Sequence, residues 1–240
     1  MELRKRVAGL ETLDGRLIDG LTFCRRAYAV LDGVHSARGG INELRLLQSP
    51  RAKKLVEEIL PLASYILARY GPALRIRIKW VGGNQPYDAR QLSTGADVGR
   101  GLLPQELFLE VTTAVHPNEH LVRERLTKEG ASFSARGTRR DRKTRQILSE
   151  PIVYHNYEFQ DELIELIQAR ITDKASKKYR QNTSLIVGCE AGMPVLDDEW
   201  QYIVDALRDK PADHNFHEVV LIESLGRRVT SLYGRPCDGA

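Results

Sequence analysis

The chain has little cysteine: Cys24, Cys189 and Cys237 are its three among 240 residues. They lie far apart with no metal-ligand spacing, so neither a zinc knuckle nor a disulfide framework is supported. There is also no apolar run near the roughly 20 residues that cross a bilayer. The basic start MELRKR leads into no signal-like apolar core. A cytoplasmic protein with no membrane partner is the expectation. Nor does one sign of charge dominate. Lys and Arg number 36 against 32 Asp and Glu, a net charge of +4, which permits a polyanionic partner without requiring one. Two familiar motifs are missing as well. GADVGRG, residues 95–101, has neither the strand–loop–helix order nor the terminal Lys-Ser/Thr of a phosphate cradle. His116 and His120 lack the Glu that follows the first His of a zinc-protease helix, and capping or surface roles are expected for them.

What is present is an ordinary globular composition, 42% hydrophobic and 28% charged, in a chain long enough to bury a full-sized core. Turn signals surround a short helix over 22–31, and residues 1–48 are expected as an N-terminal appendage to a main domain over 49–240. Ser49-Pro50 opens an amphipathic helix carrying Leu55, Ile59, Leu62 and Ile66 at helical spacing until Gly71-Pro72. Three strands follow, over 73–81, 87–93 and 106–116, the first two as an antiparallel hairpin. A helix after His116 ends at Gly130, and a longer one covers 159–179. A buried strand over 183–190, a helix over 197–207 and two closing strands over 216–224 and 227–234 complete the pattern.

Within this pattern Glu110 stands out, an acid inside the apolar alternation of ELFLEVTTAVH. An ionised carboxylate buried without a partner costs several kcal/mol, so Glu110 should face a cation, a metal or a water-filled cleft, unless its strand is an edge and it points to solvent. The block ARGTRRDRKTR gathers Arg136, Arg139, Arg140, Arg142, Lys143 and Arg145 into one polar loop without apolar period. Such a block is either a solvated loop or a grip for something anionic, and Arg suits bidentate contacts to phosphate. Lys174 and Lys177 near the end of the long helix complement its dipole. Glu57 and Glu58 either belong to a solvated helix face or lean toward a site.

Helix, three strands, helices, strand over residues 52–190, with Asp88 opening the second strand and Glu110 in the third, resembles the PD-(D/E)XK nuclease superfamily. The resemblance covers a little over half the chain. It implies an α/β fold of the restriction-endonuclease-like kind, a mixed central sheet flanked by helices with an αβββαβ core. Tyr87-Asp88 stands where that superfamily has Pro-Asp, and Glu110-Val111-Thr112 where it has an acid, any residue and Lys. Asp88 and Glu110 are then implied ligands of Mg2+ or Mn2+, with Glu57 or Glu58 a further acid from the first helix. Thr112 departs from the pattern, because a hydroxyl cannot supply an ammonium. Some members of the superfamily carry that Lys on a neighbouring helix instead, which implies Lys174 or Lys177 as its replacement here.

The chemistry has its own logic. Two carboxylates can hold one hard cation while leaving water and phosphate oxygens as its other ligands, and such an ion activates water and neutralises charge at phosphorus. A metal-dependent nuclease hydrolysing phosphodiester bonds is therefore the expectation, with DNA the partner and the Arg block gripping its backbone. The alternative is a catalytically inactive nucleic-acid-binding or assembly protein that keeps the fold. A homodimer or a larger protein assembly is left open.

Overall fold

The computed structural model of the chain describes residues 9–47, 49–83, 85–155, 157–189, 195–223 and 228–234. Glu190, Ser224 and Arg227, expected in strands, and Cys237 lie outside them. The fold is α/β, a mixed sheet flanked by helices. Seven strands run in the order β1 (Ile18–Asp19), β2 (Arg75–Trp80), β3 (Ala89–Thr94), β4 (Glu106–Ala114), β7 (Thr183–Cys189), β8 (Glu218–Glu223) and β9 (Val229–Gly234). β5 (Thr138–Arg140) and β6 (Ile147–Ser149) form a separate hairpin. The pairs β1–β2, β2–β3, β3–β4 and β8–β9 are antiparallel, whereas β4–β7 and β7–β8 are parallel. Parallel neighbours need long crossovers. The short α5 (Ala96–Gly99) lies between β3 and β4, α6 (Glu119–Glu129), the β5–β6 hairpin and α7 (Glu158–Ala175) lie between β4 and β7, and α8 (Asp197–Asp209) joins β7 to β8.

The period of two along each strand assigns its residues to faces. On one face Ile76, Ile78, Trp80, Ala89, Leu107, Leu109, Val111 and Ile186 share a core with helices from the first 70 residues. On the other, α7 and α8 pack on Leu185, Val187, Val219 and Leu221. β7 and β8 are covered on both sides, and all their residues are buried, as parallel central strands require. Residues 9–47, expected within an appendage, share the first of these cores. Phe23, Cys24 and Ala27 of α1 (Gly20–His35) are buried there, and β1 adds an edge to the sheet. α1 extends beyond the expected 22–31 at both ends, and Asp19 sets its start by accepting from the amides of Leu21 and Thr22. A Cβ on Gly20 would lie 2.8 Å from Ile66 Cγ2 and 3.0 Å from Ile76 O, so only glycine lets α1 start this close to the core.

A short α2 (Gly40–Leu46) precedes the helix opened by Ser49-Pro50, which is not uniformly α-helical. α3 (Pro50–Lys54) passes into a π turn over Leu55–Ile59 and then into α4 (Leu60–Arg69). Pro61 explains the change: it has no N–H for the carbonyl four residues back and its ring crowds that carbonyl, so the preceding turn widens. The Leu60 amide donates to Leu55 O across it.

At its far end α4 sends Arg69 to Glu218 of β8, an ion pair that also receives the Ser231 hydroxyl at 2.7 Å. Glu218 is buried, so its charge depends on this partner. Arg69→Ala should destabilise the fold by roughly 3–5 kcal/mol, since it leaves a carboxylate uncompensated. Urea denaturation would measure this, and a loss below 1 kcal/mol would show that Glu218 finds another cation.

Candidate active site

Glu110 lies in the middle of β4, only 8% exposed, on the face covered by α7. Near the end of that helix Lys174 extends its ammonium to Glu110 Oε1, and the Tyr179 hydroxyl donates to the same oxygen at 3.3 Å. The carboxylate therefore does face a cation. Burial, with the Glu110 charge next, pushes the Tyr179 hydroxyl pKa up, which keeps it a donor at any physiological pH.

Asp88 comes to the same place from β3. The β3–β4 ladder ends at the pair Ala89↔Leu109, and one antiparallel step beyond it brings Asp88 abreast of Glu110. There the Asp88 amide donates to Leu109 O at 2.9 Å, and the Asp88 side chain replaces the missing strand by accepting from the Val111 amide at 2.7 Å through Oδ2. Burial, then the negative charge of Glu110, pushes the Asp88 carboxyl up to about 7, with Glu58 adding to the effect.

Glu58 approaches from the opposite side of the sheet. It sits on the π turn, where its Oε2 accepts from Trp80 Nε1 at 3.2 Å, while the Lys54 ammonium lies 5.5 Å from the Trp80 ring centroid. Burial raises its pKa as well, and Glu57 and Glu110 add to the rise. Three acids thus repel one another at the end of β3, with one lysine in direct contact. Their hydrogen bonds use Asp88 Oδ2, Glu110 Oε1 and Glu58 Oε2; no described residue donates to the second oxygen of any of them.

Among the described residues no group of three or more His, Cys, Asp and Glu is arranged to hold a metal ion. A small hard cation such as Mg2+ takes one or two carboxylates and completes its shell with water and phosphate. Asp88 and Glu110 could hold such an ion through their unengaged oxygens, and the mutual repulsion of the acids is what a cation would relieve.

The other residues singled out in the sequence fall in different places. Glu57 turns away from Asp88 and Glu110: it pairs with Lys53 at 3.8 Å and lines a cavity of about 120 Å3 with Thr113 and Glu223. Glu58 is the acid brought to the site. Thr112 is next after Glu110 on the same face, opposite Val187, and its hydroxyl cannot replace an ammonium. Lys177 is exposed and pairs with Asp173 at 3.8 Å, one turn past Lys174. His116 pairs with Glu162, and His120 Nδ1 lies 2.8 Å from Pro117 O.

The Arg block is not the featureless loop the sequence suggested. It forms the β5–β6 hairpin, and carboxylates elsewhere in the chain neutralise half of it: Arg136 pairs with Glu158, Arg139 with Glu150 at 2.9 Å, and Arg140 with Glu124 at 2.6 Å. Arg142, Lys143 and Arg145 occupy its tip. There Asp141 Oδ1 fixes the turn by accepting from the Lys143 and Thr144 amides.

A second cationic surface escaped notice in the sequence. Arg75, Arg77 and Lys79 of β2 alternate with buried Ile76, Ile78 and Trp80, so all three cations share a face. Register carries that face across β3 through Lys79↔Arg90 and then Arg90↔Phe108 to β4, where Glu110 is the next residue along. Arg75 and Arg77 are exposed. Arg180 extends the surface, lying 5.6 Å from the Tyr87 ring centroid and 5.1 Å from that of Phe108. The signal was available as Arg-Ile-Arg-Ile-Lys-Trp, a charged and apolar alternation of period two.

Compared with protein-family models, with curated proteins and with solved structures, the chain matches none.

The raised Asp88 pKa sets a pH dependence. A carboxyl that binds its proton more tightly when folded leaves stability unaffected below the unfolded pKa near 4 and lowers it progressively as pH rises to about 7. With chelator present, Asp88→Asn should therefore raise the melting temperature over wild type, more at pH 8 than at pH 5, with an upper bound of roughly 4 kcal/mol at about 1.4 kcal/mol per pKa unit. An equal or larger gain at pH 5, read by thermal melts at the two values, would mean that Asp88 is ionised throughout.

Proposed function

We propose that the chain is a metal-dependent nuclease of the PD-(D/E)XK kind, acting on DNA and working in the cytoplasm. One observation carries this reading: Asp88 and Glu110 stand abreast on adjacent strands, and a helix from much later in the chain brings Lys174 to Glu110. Thr112 denies the strand its own ammonium, and Lys174 supplies one to the same carboxylate from α7.

Each group has a task in phosphodiester hydrolysis. Asp88 and Glu110 would hold Mg2+ or Mn2+, which when bound supplies an activated water and positive charge at the phosphate. Lys174 is placed to donate to a phosphate oxygen or to the attacking water, a fixed charge where negative charge develops. Tyr179 fixes the orientation of Glu110. Glu58 adds negative charge beside Asp88, deepening the site's preference for a cation. Arg75, Arg77, Lys79 and Arg180 form a basic approach on the open part of the same face, suited to the phosphate backbone and indifferent to sequence. The hairpin tip, Arg142, Lys143 and Arg145, offers a further contact.

A second reading has its own support. Lys174 occupies Glu110 directly. That contact also suits a nucleic-acid-binding protein without catalysis. No helix among the described residues is long and apolar enough to cross a membrane.

Incubation with plasmid and linear DNA separates the two. Cutting should require Mg2+ or Mn2+, cease with chelator, vanish in Glu110→Ala and fall by about 100-fold or more in Lys174→Met. Binding without cutting in any metal would leave only the second reading. In filter-binding titrations across salt concentrations, Arg77→Glu and Lys79→Glu should each weaken DNA binding uniformly across sequences and lower the salt slope by about one. A slope unchanged in both, but reduced by substitutions at Arg142 and Arg145, would move the backbone contact to the hairpin.

A further inference from the structure

A cavity of about 380 Å3 lies between α6, the chain entering the β5–β6 hairpin and α7. It is separate from the carboxylate site. Glu162 lines it, and along α7 the rise from Glu162 to Lys174 is roughly 18 Å at 1.5 Å per residue. Its size falls in the range that takes a nucleotide-sized ligand.

One wall is aromatic and held in place. Phe159 meets the Tyr154 ring edge-on, with centroids 5.5 Å apart and planes at 83°, and the Arg136 guanidinium lies 5.7 Å from the same ring. Leu163 and Leu166 add aliphatic surface. A flat apolar ligand suits such walls better than a branched one.

Among the polar lining groups, Glu119 pairs with Arg123 at 3.8 Å, the Ser132 hydroxyl lies 3.3 Å from that of Ser149, and Arg136 pairs with Glu158. His116 Nδ1 accepts from the Asn118 amide at 3.0 Å, which leaves the ring proton on Nε2, 3.3 Å from Glu162 Oε1. His116 is thereby an orienting group for Glu162 and has no free nitrogen to act as a base. Glu162 presents a carboxylate acceptor to the cavity. Ser134 also lines it, with its hydroxyl turned into the protein and closed to a ligand in the cavity.

We propose that this cavity binds a guanine base, unstacked from a nucleic-acid strand, with Glu162 accepting from its N1–H and amino group. Guanine alone among the common bases offers two adjacent N–H donors beside a carbonyl on one edge. Adenine turns an acceptor nitrogen toward the carboxylate, uracil and thymine flank their single N–H with two carbonyls, and cytosine has one donor group. A base can enter only out of the stack, as single strands and flipped nucleotides allow. The inference rests on the nucleic-acid reading for its context, but not on phosphodiester cleavage.

Isothermal titration of the full chain with GMP, AMP, CMP and butylammonium tests it, alongside Glu162→Gln and Ala135→Trp, a side chain sized to fill the cavity, each checked for fold by circular dichroism. GMP should bind saturably and AMP about tenfold or more weaker, because a site that reads hydrogen bonds rejects a ligand lacking them. Glu162→Gln should lose about tenfold, and Ala135→Trp should abolish binding. No saturable GMP binding, equal binding of AMP, or binding insensitive to both substitutions would overturn the proposal. Butylammonium displacing GMP would overturn it too, by showing a cation site. Metal-dependent cutting without saturable GMP binding retires the cavity alone, and guanine binding without cutting retires the nuclease chemistry alone.

Discussion

A carboxylate set into the middle strands of a sheet cannot stay ionised without a cation beside it. Glu110 meets that requirement with Lys174, and much of the arrangement follows. The ion pair joins β4 to the end of α7, the helix of the crossover that makes β4 and β7 parallel neighbours. Asp88 is drawn in by a different need, since the Val111 amide of β4 runs past the end of β3 and takes a side-chain oxygen in place of a backbone one. Two unrelated demands, one for charge and one for a hydrogen bond, place two acids side by side. Burial first, and then their repulsion with Glu58 added, raises Asp88. A charge arrangement that is costly for the fold and persists at one spot is a hallmark of a site for a charged ligand.

The uneven covering of the sheet gives that site its approach. α7 and α8 follow the parallel crossovers and so lie over β4, β7 and β8. β2 and β3 arrive by antiparallel hairpins, which need no helix. Their half of the same face stays exposed, and there β2 carries Arg75, Arg77 and Lys79. Glu110 stands at the border between the covered and open halves. The topology alone thus sets a basic surface beside an acidic pair, the polarity that a phosphate backbone bridged to a cation would need.

Parts of this were legible in the residues and parts were not. Period two along residues 73–81, 87–93 and 106–116, and helical spacing over the long helices, are local signals, and the α/β class followed from them. Glu110 was conspicuous because one acid in an apolar strand is a local anomaly. The choice between Glu57 and Glu58 was not legible, because it depends on the π turn that Pro61 imposes, and a wider turn shifts which side chain faces the sheet. The Arg block misled for a related reason: Glu124, Glu150 and Glu158, which neutralise it, are brought to it by the hairpin and by two helices. A run of like charge reads as free cation only if the rest of the chain is ignored. The β2 stripe was written in the sequence, but three cations interleaved with apolar residues look weaker than six in a row.

This contrast bears on where a polyanion would be held. A guanidinium already engaged by a carboxylate must exchange that partner for a phosphate, and the exchange returns only the difference between two similar interactions. Arg77 and Lys79 carry no such debt, since neither has an ion-pair partner among the described residues. They also lie within a few residues of Asp88 and Glu110 across the register, whereas the hairpin belongs to the far end of α7. Local density of charge in the sequence therefore ranks the two surfaces one way, and availability of charge in the fold ranks them the other. For a contact driven by neutralising phosphates, availability is the quantity that counts, and under the proposed nuclease reading the strand, rather than the hairpin, would take the leading part in bringing a backbone to the carboxylates.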